Sequence, residues 1–369
     1  MQRFYLDYNS TTPLIPLVSH DFFNPSSMHQ EGREARRALD TARSPIAKFL
    51  DAAPDEIIFT SGATEGNNTV IQSAWKTRQP GQNVVVTTLV EHDSVLNPLA
   101  QIEKEGAQIR TLSVGRDGEI DLAEFDLLLD DKKIFLISMM TANNEVGFLF
   151  PIEELARRAR QKGILFHTDA ACALGKVPLS FKKLGVDFLV GSGHKFHSPP
   201  GTGVLLVRRQ TPFYPLIVGG GQQAGFRGGT ENIFGILGLA AGLEFALSDQ
   251  QATSAQLGLF RQKLCTGLKQ IFPKMTVHEG KTQLPGTLHV GFPGIQGQTL
   301  VAALDLEGVA VSFGSACHSG TQEVSRVLLA LGYPEAEAAS SIRISFGKMT
   351  TLDDIEGGLK VFEKVLKRM

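Results

Sequence analysis

The sequence contains few cysteines, almost no excess of charge and no long hydrophobic run. Its three cysteines, Cys172, Cys265 and Cys317, are widely spaced and odd in number, and no CxxC or CxxxH cluster is present. This pattern predicts neither a disulfide framework nor a metal site, and it favours a reducing compartment. A net charge of -2 with both signs interspersed leaves no basic stripe for a phosphate backbone, so we expect no direct nucleic-acid partner.

The hydrophobic stretches are too short for a membrane. The uncharged residues 233–243 fall well short of the ~20 residues that span a bilayer. Asp7 interrupts the place where a signal peptide would need its apolar run. We therefore expect a cytoplasmic protein with no membrane contact. Its 42% hydrophobic and 20% charged residues are typical of soluble globular proteins, and 369 residues favour a large domain with a smaller one.

Short apolar runs alternate with longer segments of helical period. Strands are predicted at residues 57–60, 84–88, 134–138, 165–168, 188–191 and 204–207, and the clearest helices at residues 64–76, 94–105 and 152–162. Such alternation favours an α/β architecture, in which a mostly parallel sheet is covered by helices on both faces.

The last third of the chain has a different organisation. After the helical pattern of residues 232–247, the polar run at residues 248–251 is a predicted hinge. The rest mixes helices and strands and ends in a helix over residues 352–367, which Thr350 and Thr351 would cap. We predict a large domain over residues 12–248, and a small α+β domain built from residues 1–11 and 249–369.

Two polar residues follow neighbouring predicted strands. Asp169 stands at the carboxyl end of one strand, and Lys195 follows the next strand within the small-residue turn GSGHK. Doubly wound sheets bind their ligands at this edge. A lysine that is partly desolvated there can lose its proton and form imines, whereas an ordinary surface lysine is the alternative interpretation.

A third feature is the segment TSGATE at residues 60–65, which runs from a strand through a glycine turn into a helix. The free N–H groups and the dipole of such a helix suit a phosphate, although an ordinary helix cap is the alternative. Ser192 and His194 could add side-chain donors. An acid for the ring nitrogen, an imine-forming lysine and a phosphate site are what pyridoxal 5'-phosphate requires of a protein.

Cys317 lies in the small-residue stretch SFGSACHSG, which has no hydrophobic period and is therefore predicted to be a loop. A thiol on a polar loop beside His318 is exposed enough to react. The alternative is an inert buried cysteine, which is the usual state of this residue inside cells.

Arg343 and His92 are further candidates. Arg343 alternates with Ile342 and Ile344 in the predicted strand SIRIS, where its guanidinium could hold a carboxylate by two hydrogen bonds. A solvated arginine at a strand edge is the alternative. His92 follows the strand at residues 84–88, where it is either a helix-start residue or an acid–base group.

These residues belong to a series of motifs that runs from Tyr5 to the end of the chain. The motifs are, in order, YLDYNSTTP, NPSSMH, IIFTSGATEGNN, EHDSVL, NNEVG, FHTDA, SGHKF, GGGQQAGFRGGTEN, GSACHSG and SIRIS. The series resembles the cysteine desulfurase family of pyridoxal-phosphate enzymes, and so implies an aspartate-aminotransferase-like fold. The spacing of Cys317 and Arg343 resembles the long-loop group that is associated with iron–sulfur cluster supply.

The resemblance implies a role for each motif residue. Lys195 would form the Schiff base with pyridoxal 5'-phosphate, Asp169 would face the ring nitrogen, and His92 would stack on the ring. The other implied cofactor contacts are Ala63, Thr64, Asn144, Cys172, Ser192 and His194, with Thr230 reaching across from a second subunit of a homodimer. Asn144 and Arg343 would hold the carboxylate of the substrate L-cysteine.

Cys317 would take the sulfur of L-cysteine as a persulfide, with L-alanine released. The sulfur would then pass to an acceptor protein such as an iron–sulfur scaffold.

The chain departs from the family pattern at several positions. Cys172 stands where a glutamine usually donates to the phenolic oxygen of the cofactor, and a thiol is a poor donor. Residues 17–23 are too short for the helix that is usual there. The tripeptide His197-Ser198-Pro199 replaces Tyr-Gly-Pro, and Gly228 replaces a serine. These changes bear on cofactor binding and on subunit docking more than on the type of reaction.

Two other functions fit parts of this pattern. One is a selenocysteine lyase, or another pyridoxal-phosphate lyase or aminotransferase on the same scaffold. The other is a binding or scaffold protein with a degenerate site, which Cys172 and the short residues 17–23 suggest. Cys317 in its predicted loop favours the desulfurase over the aminotransferase, and the joint presence of Lys195, Asp169 and His92 weighs against a scaffold protein.

Overall fold

The structure is a computed structural model that describes residues 2–16, 23–314 and 324–369. The predicted loop around Cys317 and nearly all of residues 17–23 lie outside the described residues.

The first two thirds of the chain alternate strands with helices. The strands are β1 (Phe4–Tyr5), β2 (Ile57–Thr60), β3 (Val84–Thr88), β4 (Gln108–Leu112), β5 (Ile134–Ser138), β6 (Leu165–Asp169), β7 (Phe188–Ser192) and β8 (Gly203–Val207). The helices are α1 (Gln30–Leu50), α2 (Ala63–Thr77), α3 (Asp93–Lys104), α4 (Leu122–Leu128), α5 (Ile152–Gln161), α6 (Phe181–Leu184) and α7 (Ile233–Leu247).

Strands β2 to β8 form a seven-stranded sheet in the order β2-β8-β7-β6-β5-β3-β4. The pairs from β7 to β4 are parallel, while β8 runs antiparallel to both of its neighbours. The predicted mostly parallel sheet is therefore confirmed. The sequence prediction did not include β4, an edge strand of which only Leu112 is buried, because it has no continuous apolar run.

Both faces of this sheet are covered. In β3, Val84 and Val86 pack in a core that includes α1, α5 and α7, whereas Val85 packs with α2 and α3 on the opposite face. Successive side chains of a strand point to opposite faces, so a strand buried on both sides needs an uninterrupted apolar run. This explains why β3 and β5 could be predicted from the sequence.

The last third contains the remaining elements. They are β9 (Thr276–Val277), β10 (Thr287–Gly291), β11 (Val309–Ala310), β12 (Ser341–Ser345), α8 (Gln250–Ile271), α9 (Gly297–Leu306), α10 (Arg326–Ala330), α11 (Glu335–Ala339) and α12 (Leu352–Leu366). Strands β12, β10 and β9 form an antiparallel sheet, and β1 pairs with β11. A separate hydrophobic cluster joins Phe4 and Leu6 to residues of this third. The exact division at residues 11 and 248 stays a prediction.

The predicted hinge at residues 248–251 is longer than the break in the structure. Gln250 already begins α8, so only Ser248 and Asp249 separate it from α7. Asp249 has a φ of 53°, in the left-handed region, and the two helices are bent by 67°. The polar composition predicted a longer hinge. Glutamine forms helices readily, so Gln250 begins α8 and does not extend the break.

The start of the last helix was predicted correctly. The side chain of Thr351 accepts the Asp354 N–H in a capping box, which fixes the start of α12 as expected. Within the described ranges, no single helix is long and apolar enough to cross a membrane. Only the bent pair of α7 and α8, taken together, has the length and the apolar composition of a membrane span.

Gly203 lets β8 approach the turn before α2. A Cβ atom on Gly203 would lie 2.6 Å from Gly62 Cα and 2.8 Å from the Gly191 carbonyl oxygen. These are backbone atoms, so they cannot move aside as a flexible side chain could. We predict that Gly203→Ala lowers the free energy of unfolding by roughly 1–3 kcal/mol, measured by urea unfolding.

The matched control is Gly258→Ala on α8, because nothing lies within 4 Å of a Cβ built there. This change should raise the free energy of unfolding by roughly 0.5–1 kcal/mol, since alanine is the better helix former. An unfolding midpoint of Gly203→Ala equal to that of the wild type would contradict the close-packing argument.

Candidate active site

One open pocket of about 1160 Å³ lies at the carboxyl edge of the parallel strands. It brings together ten of the twelve residues predicted for the site: Ala63, Thr64, His92, Asn144, Asp169, Cys172, Ser192, His194, Lys195 and Arg343. The other two are Thr230, which is exposed outside the pocket, and Cys317, which lies outside the described residues.

Asp169 is the last residue of β6 and is only 5% exposed. Its Oδ2 accepts from Asn67 Nδ2 at 2.7 Å, and its Oδ1 accepts from the Ala171 backbone N–H at 2.8 Å. Each carboxylate oxygen therefore has a donor, which stabilises the negative charge of a buried group.

Lys195 ends a short 3₁₀ turn that follows β7. Because β7 runs parallel to β6, with Val190 opposite Asp169, the lysine emerges at the same edge as the carboxylate. Lys195 Nζ donates to the backbone oxygen of Asn9, and to that of Ser10 at 2.9 Å. The lysine is thus half-buried and held by the N-terminal segment, which differs from the alternative of a surface lysine.

The turn before α2 provides an uncapped helix N-terminus. Gly62 is the N-cap residue, with a φ of 152° that favours glycine, and no side chain accepts from the first turn. The N–H groups of that turn lack partners inside the helix, so they can bind an anion in the pocket. Ser192 and His194 line the same pocket beside Thr64.

Arg227 ties the segment GFRGGT to this turn. Its Nε donates to Glu65 Oε1 at 2.9 Å and its Nη2 donates to Glu65 Oε2 at 3.1 Å. Burial alone would raise the pKa of Glu65, but the hydrogen bonds from Arg227 and Ser61 lower it below its ordinary value. Thr230, three residues beyond Arg227, is therefore carried by a segment that is anchored to the pocket wall.

Arg343 is almost completely buried, with 1% of its side chain exposed. Its Nη2 donates to Asp7 Oδ1 at 2.8 Å and to Ser10 Oγ at 2.7 Å, and its Nη1 donates to the Asn144 carbonyl oxygen at 2.9 Å. Arg343 Nε is buried without a partner among the described residues. The alternative of a solvated arginine is wrong, because the rest of the chain covers the edge on which it lies.

Cys172 is buried in the turn that follows β6 and lines the pocket. Its Sγ lies 3.8 Å from Lys176 Nζ, which also donates to Asn9 Oδ1 at 2.7 Å. Burial lowers the pKa of Lys176, with a smaller lowering by the Arg343 charge that the Cys172 sulfur opposes. The residue that replaces the usual glutamine therefore has a buried amine beside it.

Burial shifts the pKa of two further groups in or near the pocket. Burial, followed by repulsion from Lys195 and Lys176, lowers the pKa of His194 to about 4. His194 is therefore neutral at neutral pH and offers a single N–H. Burial also raises the pKa of Glu91, which is next to His92 in sequence, well above its ordinary value.

His92 is the N-cap residue of α3 and also lines the pocket, so the helix-start interpretation is confirmed and the acid–base role stays a prediction. The sequence analysis missed four polar residues that hold the site together: Asp7, Asn9, Asn67 and Ser94. Asn67 could have been noticed, because it lies one helical turn after Thr64 on the same face of α2. Asp7 and Asn9 could not, because their partners are far away in sequence.

No group of three or more histidine, cysteine or acidic side chains is placed to hold a metal ion in the described parts of the chain.

The whole chain is similar to known proteins. It matches the family Aminotransferase class-V over residues 4–357. It is 39% identical over 378 residues to a protein of Nostoc sp. named cysteine desulfurase, and the match covers 100% of this chain and 94% of that protein.

Two solved structures have the same fold. A NifS-like protein matches with a TM-score of 0.92 and 34% identity, covering 100% of both chains. SspA in complex with cysteine matches with a TM-score of 0.82 and 33% identity, covering 94% of this chain and 100% of that one. The chain therefore belongs to the aminotransferase class-V family, as one of its cysteine desulfurases.

Proposed function

We propose that this pocket binds pyridoxal 5'-phosphate, accepts L-cysteine, and yields L-alanine with the sulfur left as a persulfide on Cys317. The observation that carries the proposal is the placement of Asp169 and Lys195 on one edge of the sheet, next to the uncapped N-terminus of α2.

The residues fit the cofactor at three points. Asp169 is a buried anion with two donors of its own, as is needed opposite a protonated ring nitrogen. The N-terminus of α2, with Ser192 and His194 beside it, offers donors for the phosphate. Lys195 supplies the amine. When bound, pyridoxal phosphate supplies an electron sink for the carbon atoms of the substrate.

The protein's own residues bind and orient the substrate. The guanidinium of Arg343 is held rigidly by Asp7 and Ser10, and its buried Nε has no partner among the described residues. Such a group recognises a carboxylate well, because little conformational freedom is lost on binding. Asn144 lines the pocket beside Arg343. SspA, which was solved with cysteine bound, supports an amino-acid substrate with a thiol.

The residues that flank Cys317 are attached next to the pocket. On one side, Ser312 Oγ donates to Asp7 Oδ2 at 2.7 Å. On the other side, Ser325 Oγ donates to Glu145 Oε2 at 2.5 Å, adjacent to Asn144 in sequence. Cys317 follows Ser312 by five residues, which is at most ~18 Å of extended chain. This reach supports Cys317 as the sulfur acceptor.

An exposed apolar surface supports a homodimer. Leu216, Ile217 and Val218 are 39%, 38% and 73% exposed, and Phe226 is 39% exposed, all within the stretch that leads to Thr230. Apolar side chains that are contiguous in this way are typical of subunit interfaces. A partner on this surface would cover the segment that carries Thr230, as the proposed contact of Thr230 with the partner's phosphate requires.

The proposed acceptor of the sulfur is a scaffold protein for iron–sulfur clusters, in the cytoplasm. The support for this acceptor is the resemblance of the Cys317 to Arg343 spacing to the long-loop desulfurases.

Turnover of L-cysteine tests the proposed reaction. Purified protein supplied with pyridoxal phosphate, L-cysteine and a thiol reductant should release alanine and sulfide in equal amounts. Lys195→Ala should form no alanine, because the amine that binds the cofactor is gone. Cys317→Ser should keep the visible absorption of the cofactor but lose ~100-fold or more of the sulfide rate.

Cys265→Ser is the matched control, because Cys265 is half-buried on α8 and does not line the pocket. It should leave both rates unchanged. Absence of alanine from the wild-type protein would overturn the proposed reaction. Sulfide release by Cys317→Ser at the wild-type rate would overturn the role of Cys317 while leaving the cofactor assignment intact.

The side chain of Cys172 can be tested by its effect on the titration of the bound cofactor. A hydrogen-bond donor that faces the phenolic oxygen of the cofactor stabilises the negative charge on that oxygen. The charge then depends less on the proton of the neighbouring Schiff-base nitrogen. Cys172→Gln adds such a donor, so the midpoint of the pH titration of the visible absorption band should fall by roughly 0.5–1 pH unit.

Cys172→Ala separates the added donor from the lost thiol, because it removes the sulfur and adds nothing in its place. Its titration midpoint should not fall. If Cys172→Gln titrates like the wild type, then position 172 does not tune the cofactor.

A further inference from the structure

Asn67 lies between two predicted site residues, Asp169 and His92. It is completely buried on α2, and its Nδ2 donates to Asp169 Oδ2 at 2.7 Å and to Ser94 Oγ at 2.8 Å. The orientation of this amide is fixed by chemistry. A reversed amide would place Oδ1, an acceptor, against the carboxylate of Asp169, where two acceptors would repel each other.

The hydrogen bonds around Ser94 are oriented by two groups that can only donate. The amide N–H of Asn67 is one of them, so Ser94 Oγ accepts from Asn67. Ser94 Oγ also lies 2.8 Å from His92 Nδ1. The backbone N–H of Ser94 donates to the same ring nitrogen at 3.1 Å.

The backbone N–H of Ser94 is the second group that can only donate, so His92 Nδ1 is an acceptor and the Ser94 hydroxyl donates to it as well. A ring nitrogen that accepts hydrogen bonds carries no proton, so the proton of the neutral imidazole is on Nε2. The nitrogen that is not engaged with Ser94 is then a donor. The order of donors runs from Asn67 through Ser94 to His92, with the first step fixed by the bond between Asn67 and Asp169 and the last by the Ser94 backbone N–H.

We propose that Asn67 and Ser94 are positioning residues that fix the orientation of the Asp169 carboxylate and the tautomer of His92 together. Asn67 acts on Asp169 directly and on His92 only through the hydroxyl of Ser94. The importance of this for catalysis rests on the proposed function of the pocket, but the tautomer is a property of the protein alone.

The fixed tautomer has a chemical consequence. His92 presents an N–H to its surroundings through Nε2, while its basic lone pair is occupied by Ser94. In this form it is able to donate a hydrogen bond at the pocket. Because the Asn67 amide has no transferable proton at neutral pH, the network orients Asp169 and His92 but does not pass protons between them.

The tautomer can be measured without any cofactor. Protein labelled with ¹⁵N-histidine gives separate nitrogen signals for the two ring positions, and a His92→Gln variant identifies those of His92. In the wild type, Nδ1 should have the shift of an unprotonated nitrogen and Nε2 that of a protonated one. A protonated Nδ1 in the neutral ring would overturn the proposal.

Variants test the coupling. Asn67→Ala frees the Ser94 hydroxyl from its incoming donor, and Ser94→Ala removes the hydroxyl, so each should raise the population with a proton on Nδ1. The double variant should match Ser94→Ala alone, because Asn67 reaches His92 only through Ser94. Effects that simply add would overturn this route.

A second measurement uses the affinity for pyridoxal phosphate. Asn67→Ala should weaken binding by ~10-fold or more, since a donor to a charged group is lost. Unaltered binding by Asn67→Ala would remove its role on Asp169. A wild type that binds no pyridoxal phosphate would overturn the proposed function, yet leave the tautomer result standing.

Two controls separate positioning from folding. Ser94→Thr keeps the hydroxyl and should restore the wild-type tautomer, which keeps the test decisive even if Asn67→Ala does not fold. Asn97→Ala changes an exposed asparagine on α3, one turn from Ser94, and should alter neither the tautomer nor the binding. A shift of the His92 signals in Asn97→Ala as large as that in Ser94→Ala would mean that any change in α3 moves the tautomer, and would overturn the specific role of Ser94.

Discussion

The parallel pairing of β6 with β7 is the constraint on which the rest of the site depends. The register that places Asp169 opposite Val190 brings the carboxylate and Lys195 to one edge of the sheet. Both strands are buried in the middle of a seven-stranded sheet, so a slip of one residue would turn their apolar side chains away from the two cores. The distance between an acid and a lysine that are 26 residues apart is thus set by the core and not by the loops.

The N-terminal segment completes the pocket by joining the two parts of the chain. The backbone oxygens of Asn9 and Ser10 accept from Lys195, while Asp7 and Ser10 hold Arg343 on β12. Strand β1 just before this segment pairs with β11 in the last third. A few residues near the start of the chain therefore connect the amine of the large sheet to the guanidinium of the smaller one. A movement of either part of the chain would change the positions of both groups.

The sequence predicted those features that depend on local composition. Strands such as β3 and β5, the helices α2 and α7, and the two strand-end residues Asp169 and Lys195 followed from apolar runs and turns. The predicted aspartate-aminotransferase-like fold is supported by the high structural similarity to the NifS-like protein. Motif resemblance added Asn144, which the structure places in the same pocket.

Features that depend on distant contacts could not be predicted. Asp7 and Arg343 are 336 residues apart, and nothing in either local segment indicates that they pair. The strand β4 was missed because an edge strand needs little apolar surface, and the hinge was overestimated because the glutamines after Asp249 continue a helix. The network from Asn67 to His92 depends on the distances between its hydrogen-bonding groups, and these distances cannot be inferred from the sequence.

The central claim is that Lys195, and no other lysine of the pocket region, binds the cofactor. Borohydride reduction of the protein in the presence of pyridoxal phosphate converts the lysine bound to the cofactor into a stable secondary amine, and peptide mass spectrometry locates it. The account predicts the label on Lys195 in the wild type, with Lys176 unlabelled although it is buried nearby beside Cys172. A label on Lys176, or no label on either lysine, would contradict it.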